Sequence, residues 1–289
     1  MKIYFNNFWE NNENIYNNLF YFWKHFFSFI DIEISKNIHE CDIVLNSVFF
    51  KKDIEIYKNK KNIFITFEPI KYNNILFDVN LSFHLKDEEY KNVITCPPQL
   101  LLTIFKHEVP KSLFLKNRPF RTEVPPKFCC FITRQEKYER MDFFNQLSKY
   151  KKVDSLGPCL NNTGILAPSN EYEFYKLVSQ YKFIITFENS QKDFYITEKI
   201  LHGFFSLTIP IYWGSKFIHN FFNKDSFIYI DDYNKENIHK SIEQIKLLDN
   251  NNELYLKYVN QPIFKHNFDI DTYFENIKSD LKLKLKIKN

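Results

Sequence analysis

The sequence predicts an α/β protein of two domains, and three observations predict it. Short apolar runs of strand length alternate with longer amphipathic ones, the pattern of parallel sheets joined through helices. One stretch rich in proline and charge, 107–127 (HEVPKSLFLKNRPFRTEVPPK), interrupts that alternation and reads as a linker. Residues 182–213 read as strand, polar loop, helix and strand, a βαβ unit whose loop lies where an α/β sheet binds ligands. At 289 residues the chain is long enough for two domains of ordinary size.

In the first domain, residues 2–5 form a strand. Residues 13–30 (ENIYNNLFYFWKHFFSFI) have the length and apolar circumference of a well-buried helix. Strands follow at 42–45, at 62–67 (NIFITF, ending at Glu68-Pro69), at 79–83 and at 93–95. The second domain opens on 128–133 (FCCFIT), a buried strand, followed by a helix at 138–149 and a weak strand at 152–156 that ends in the turn Gly157-Pro158. A helix at 171–181 leads into the strand 182–187. Thr197 then caps a helix over 197–205, with Glu198 in the first turn, where acids are favoured. Residues 208–213 (TIPIYW) are the next strand. Ile238, Ile242, Ile245 and Leu248 recur at helical spacing over 237–248.

Composition narrows the function. Hydrophobic residues make up 44% and aromatics 19%, so the cores are built largely from 33 Phe and 18 Tyr. The excess of Asn, Lys, Ile and Phe reads as compositional bias, in which the sequon Asn161-Asn162-Thr163 arises by chance. A net charge of +4, from 39 basic and 35 acidic residues, is too mild and too dispersed for a nucleic-acid binder. Five cysteines (41, 96, 129, 130 and 159) have no CxxC pair among them, which argues against zinc and for a reducing, cytoplasmic setting. No signal peptide or membrane span is visible, because Lys24, His25 and Asp31 break the early apolar runs.

The chemistry concentrates in 187–214, FENSQKDFYITEKILHGFFSLTIPIYWG. Lys199 stands at the second helical position, beside unpaired backbone N–H groups and the positive end of the helix dipole, which suits a phosphate. Asn189, Ser190, Tyr195 and Thr197 can donate to phosphate or sugar oxygens, and Glu198 can accept from hydroxyls. Read from the residues alone, this stretch is either an anion site or a capped helix with solvated Glu and Lys.

FENS, then YITEK, then IPIYWG resembles the donor signature of the α1,3/4-fucosyltransferases, glycosyltransferase family 10. The likeness is nearly continuous over 183–214, extends to Ser226-Phe227-Ile228 and Asp231-Asp232, and runs more loosely from about Phe64 to Pro262. It implies a GT-B-type fold, two Rossmann-like domains facing each other across a cleft. On that reading 1–117 binds the acceptor, 118–262 binds GDP-fucose and 263–289 is a C-terminal helix or tail. It implies an inverting transfer of L-fucose from GDP-β-L-fucose to a glycan hydroxyl through an α1,3-linkage, with N-acetylglucosamine or glucose as acceptor unit. No cofactor or metal is implied.

Residue by residue, the resemblance assigns Lys199 and Arg140 to the donor diphosphate; Arg140 starts the helix after FCCFIT, at the same sheet edge. The loop QEKYE before it departs from the family by lacking Asn and Pro. Glu188, Asn189, Ser190, Tyr195, Thr197 and Glu198 are the remaining donor-binding candidates. Glu68, directly after the strand NIFITF, is the candidate base, although Pro69 stands where the family has Ser or Asn. Asp78, Asp87 and Glu88 are the next acids along the chain. Asp269-Ile270-Asp271 has the spelling of a metal motif but lies far from the donor loop. Two other functions stay open: a GT-B transferase using another nucleotide sugar, and a non-catalytic GDP-sugar-binding protein. The C-terminal KSDLKLKLKIKN reads as a solvated tail or last helix. Weak peripheral contact with an anionic membrane is its second reading, as in soluble bacterial members of the family.

Overall fold

The computed structural model describes residues 1–49, 56–69, 77–86 and 92–287. In chain order the elements are β1 (Lys2–Asn6), α1 (Asn12–Asn18), α2 (Phe20–Phe26), β2 (Glu33–Ile34), β3 (Ile43–Asn46), β4 (Lys61–Ile65), β5 (Val79–Ser82), β6 (Val93–Thr95), α3 (Pro98–Phe105) and α4 (Ser112–Lys116). After these come β7 (Lys127–Phe131), α5 (Tyr138–Ser148), β8 (Val153–Ser155), α6 (Glu171–Val178), β9 (Tyr181–Ile185) and α7 (Glu198–Phe205). The chain closes with β10 (Ile209–Trp213), β11 (Ile228–Ile230), α8 (Lys235–Asn250), α9 (Asn252–Val259) and α10 (Ile270–Lys284).

Two compact units result. The first holds Met1–Ser112, Lys192–Tyr195 and Asp269–Asn289; the second holds Leu113–Gln191 and Ile196–Phe268. The first unit contains a parallel sheet of strand order β2-β1-β3-β4-β5-β6. Strands β3 and β5 are buried along their whole length, as expected where helices cover both faces of a parallel sheet. The helix expected over 13–30 is broken: Leu19 leaves helical geometry and ends α1 while starting α2. Aromatic rings fill the core beside them. Trp23 is fully buried against Phe5, Phe8, Phe22 and Phe27.

The C-terminal residues pack against this same unit. Phe274, Ile277, Leu281 and Leu285 line the buried side of α10, and Phe274 stacks on Phe105 at 4.1 Å. Lys278 is buried and donates to Ser28 Oγ at 2.9 Å. The alternation of Lys with Leu therefore resolves into a helical stripe, and Leu283 is the leucine left outside.

The second unit has a parallel sheet of order β11-β10-β9-β7-β8. Counted within the unit this is the doubly wound order 2-1-3-4-5, whose direction reverses between β7 and β9. The proline-rich stretch before β7 is fastened rather than loose. Arg118 donates to the carbonyls of Val259 and Gln261, and Arg121 to those of Leu207 and Ser179. At the start of β9, Lys182 reaches the carboxylate of Asp249 at 2.9 Å, and Lys151 and Tyr150 reach it at 3.0 Å, tying the sheet to the end of α8.

Candidate active site

The reversal of strand order in the second unit opens a crevice at the C-terminal ends of β7 and β9, the place where doubly wound sheets bind ligands. Thr133 shapes one side. Its hydroxyl donates to the Gln135 carbonyl at 3.1 Å and turns the chain after β7. Gly157, after β8, lies so close that a Cβ there would stand 2.3 Å from the Thr133 carbonyl oxygen, so only glycine fits. The crevice is a pocket of about 440 Å³. Arg134, Arg140, Glu198 and Lys199 supply charge to its lining and Gln135 and Asn189 supply amides; the rings of Phe174 and His202, 4.7 Å apart, form another wall.

Arg140 is buried at the start of α5, with 3% of its surface exposed. Its guanidinium donates to the Phe187 carbonyl at 2.8 and 3.2 Å, to Asn189 Oδ1 at 2.7 Å and to Thr133 Oγ1 at 3.3 Å. These bonds bring the loops after β7 and β9 together and place a fixed positive charge under the pocket.

Thr197 caps α7, and its hydroxyl accepts from Lys199 N at 3.4 Å. The Lys199 ammonium lies 3.0 Å from Thr197 Oγ1, 3.3 Å from Glu188 Oε2 and 3.5 Å from Glu198 Oε1. Burial pulls its pKa down, but Glu188 and Glu198 more than offset that, and the ammonium is held above its ordinary value. Glu188 has no exposed surface. Full burial holds its carboxyl above the ordinary value and the Glu198 charge adds to the rise, while Lys199 and the two hydrogen bonds from Thr197 offset only part of it.

The candidates thus fall into groups. Arg140, Asn189, Glu198 and Lys199 line one pocket. Glu188 and Thr197 are bonded to Lys199 without lining it. Ser190 Oγ is buried, with no hydrogen-bond partner among the described residues. Tyr195 belongs to the first unit, where its ring packs 5.5 Å from Phe83. Glu68 also lies in the first unit, half-buried after β4, in a turn closed by Thr66 Oγ1 donating to the Glu68 carbonyl at 2.8 Å. Asp78 accepts from Asn62 N at 2.7 Å, at the opposite, N-terminal edge of that sheet. Asp87 and Glu88 lie outside the described residues. Asp269 caps α10 by accepting from Thr272 N at 2.7 Å. Among the described residues no three His, Cys, Asp or Glu side chains gather as a metal site would require. Thr133 and Gly157, which shape the pocket, carry no charge pattern that sequence could flag; their signal is only their place at strand ends.

Residues 127–280 match the family model described as glycosyltransferase family 10 (fucosyltransferase), C-terminal part. A protein of Acanthamoeba polyphaga mimivirus is 32% identical over 229 residues, which covers 76% of this chain and 36% of that protein. The α-(1,3)-fucosyltransferase FucT of Helicobacter pylori is 31% identical over 255 residues, 78% of this chain and 52% of that one. The chain therefore spans about half the length, or less, of these curated relatives. A crystal structure of an α1,3-fucosyltransferase with GDP-fucose superposes with a TM-score of 0.75 at 24% identity, covering 100% of this chain and 91% of the other. That likeness is one of fold: two α/β units with parallel sheets, the GT-B type. With more than half its length inside the family model, the chain belongs to glycosyltransferase family 10, the fucosyltransferases.

Proposed function

We propose that this protein is an inverting fucosyltransferase. It moves L-fucose from GDP-β-L-fucose to a hydroxyl of an acceptor glycan and forms an α1,3-linkage to an N-acetylglucosamine or glucose unit. One observation carries the reading: Lys199 and Arg140 converge on a pocket at the reversal point of a doubly wound sheet, with the first turn of α7 beside them. Two cations and a helix N-terminus are what a nucleoside diphosphate needs as ligand and as leaving group. The family match supports GDP-fucose as the nucleotide sugar, and the fold shared with a GDP-fucose complex is in keeping with it.

In this reading Lys199 holds the diphosphate and neutralises the charge that grows as the fucosyl bond breaks, with the fixed charge of Arg140 beneath it. Asn189, Ser190 and Tyr195 orient GDP and fucose, and Glu198 accepts from a sugar hydroxyl. Glu68 takes the proton of the attacking acceptor hydroxyl. Near it in the first unit, Trp9 packs edge-on against Phe67 at 5.7 Å and Phe49 at 5.1 Å. Aromatic faces and a carboxylate are groups that carbohydrate recognition uses. Leaving-group charge is met by side chains, so the reaction runs without a metal.

All five cysteines are free thiols, in keeping with a cytoplasmic setting. Among the described residues no helix is long and apolar enough to cross a membrane. Exposed Leu283 beside Lys282 and Lys284 supports a weak peripheral contact.

Calorimetric titration with GDP, UDP and GDP-fucose tests the donor assignment. Binding of GDP and GDP-fucose without UDP is expected. Preference for UDP would move the chain to another nucleotide sugar, and GDP-fucose binding without turnover on any acceptor would make it a binding protein.

A further inference from the structure

Glu188 presents a physical puzzle. A pocket suited to a diphosphate has a fully buried carboxylate bonded to its half-buried cation, Lys199. An uncompensated anion in that place would oppose an anionic ligand and would cost several kcal/mol in desolvation. Yet every lone-pair direction of Glu188 is engaged. Oε1 accepts from Thr197 N at 2.8 Å and faces the Tyr212 hydroxyl at 3.5 Å. Oε2 accepts from Thr197 Oγ1 at 2.7 Å and Lys199 Nζ at 3.3 Å.

The surroundings are built to this carboxylate. Its backbone N–H donates to the Trp213 carbonyl, which fixes the end of β9 to the end of β10. Gly214 follows, and a Cβ there would stand 2.6 Å from both Glu188 Cγ and the Tyr212 hydroxyl. The absence of a side chain at 214 is what leaves room for Glu188 and Tyr212 together.

Resting on the donor reading above, we infer that Glu188 is a positioning residue: a buried anion that fixes the Lys199 ammonium and the first turn of α7 so that both address the donor diphosphate. The two glutamates at Lys199 then have different tasks. Glu198 is about a third exposed and lines the pocket, so it can yield its contact with Lys199 to a phosphate oxygen. Glu188 has no exposed surface and cannot be exchanged, so it keeps Lys199 charged and aimed while the partner on the other side changes. The charged and titratable groups facing this pair are Glu198 from α7, Arg140 from α5 and Tyr212 from β10.

The test is calorimetric titration of the full chain with GDP between pH 7 and 11, for the wild type, Glu188→Gln and Glu188→Asp. Glu188→Gln keeps the shape but removes the charge and turns an N–H toward Lys199. GDP affinity is expected to fall about tenfold or more at pH 7.5, as for loss of a charge-assisted contact. The alkaline loss of binding should also move to lower pH, because Lys199 no longer has its closest anion. Glu188→Asp keeps the charge but draws it back, so affinity should fall while the alkaline limb stays nearer the wild-type position. A residue that merely stabilises the fold would lower the melting temperature and leave both affinity and alkaline limb unchanged. That result in a folded Glu188→Gln protein overturns the inference; should that variant not fold, wild-type GDP affinity in Glu188→Asp overturns it instead. A wild type that binds no GDP overturns the donor reading itself and the inference with it, whereas normal wild-type binding with indifferent variants removes the role of Glu188 alone.

Discussion

Lys199 and Arg140 carry their charges in different settings. Lys199 reaches the pocket from a helix N-terminus and is held charged by two carboxylates. Lys199→Ala should weaken GDP-fucose binding by about 1.5–3 kcal/mol, and it should also lower the melting temperature, because it leaves the fully buried Glu188 carboxylate without its cation. Arg140 is also a structural clasp across three backbone and side-chain acceptors, so Arg140→Ala should lose both donor affinity and thermal stability. Calorimetry together with a melting curve reads both effects in each variant; unchanged donor affinity in both would sink the site. Because the Lys199 ammonium is raised above its ordinary value, it stays charged as pH rises and loses its proton only above the usual range for lysine, about pH 10. GDP affinity in the wild type should accordingly hold through pH 9, and a decline already between pH 8 and 9 would contradict the electrostatics. These residues were legible in the sequence because Thr-Glu-Lys after FENS is both a helix start and a charge cluster. Glu188 was legible as an acid but not as a buried one, since burial depends on Thr197, Tyr212 and Gly214 meeting around it.

At the scale of elements, the strand ends build the pocket, and the turns after β7 and β8 are in backbone contact. Gly157→Ala would force a Cβ against the Thr133 carbonyl oxygen at 2.3 Å, a contact that a flexible side chain cannot relieve. Overpacking of this kind costs about 1–3 kcal/mol, so a lower melting temperature and a weakened GDP site are expected together. A variant with wild-type stability and affinity would show that the two turns can separate. The elements around the site were readable because their apolar runs are bounded by polar loops. Others were not. Strand β11 is three residues long, and α3 (PQLLLTIF) is almost continuously apolar, so neither shows a period. Helix α10 was readable only as a last helix or a solvated tail, because its lysines alternate with leucines. Its buried stripe, Phe274, Ile277, Leu281 and Leu285, emerges only when the helix is extended back to Ile270.

For the molecule as a whole, the second unit is tied together by the buried pair of Asp249 and Lys182, with Lys151 and Tyr150 reaching the same carboxylate from the surface. Burial pushes the Asp249 carboxyl up, but the hydrogen bonds from Lys182 and Lys151 outweigh it and hold it below its ordinary value. A carboxyl lowered in the folded state contributes stability above its unfolded pKa of about 3.9 and loses it as pH falls through the lower folded value. Asp249→Ala should cost about 3–5 kcal/mol at neutral pH, because it leaves a buried lysine unpaired, and should flatten the acid limb of the stability profile. Denaturant melts from pH 7 to pH 3 check both effects.

The central claim is that side chains alone manage the charge of a GDP leaving group while fucose is transferred. Its most direct measurement is transfer of labelled fucose from GDP-fucose by the purified wild-type chain to an array of acceptor oligosaccharides, in excess EDTA, with the product linkage read by NMR. Activity undiminished by EDTA and an α1,3-fucosylated product are predicted, with turnover reduced about 10²–10⁴-fold in Glu68→Gln at nearly unchanged GDP-fucose affinity. Loss of transfer in EDTA that Mn²⁺ or Mg²⁺ restores would contradict the account, and so would a β-linked product.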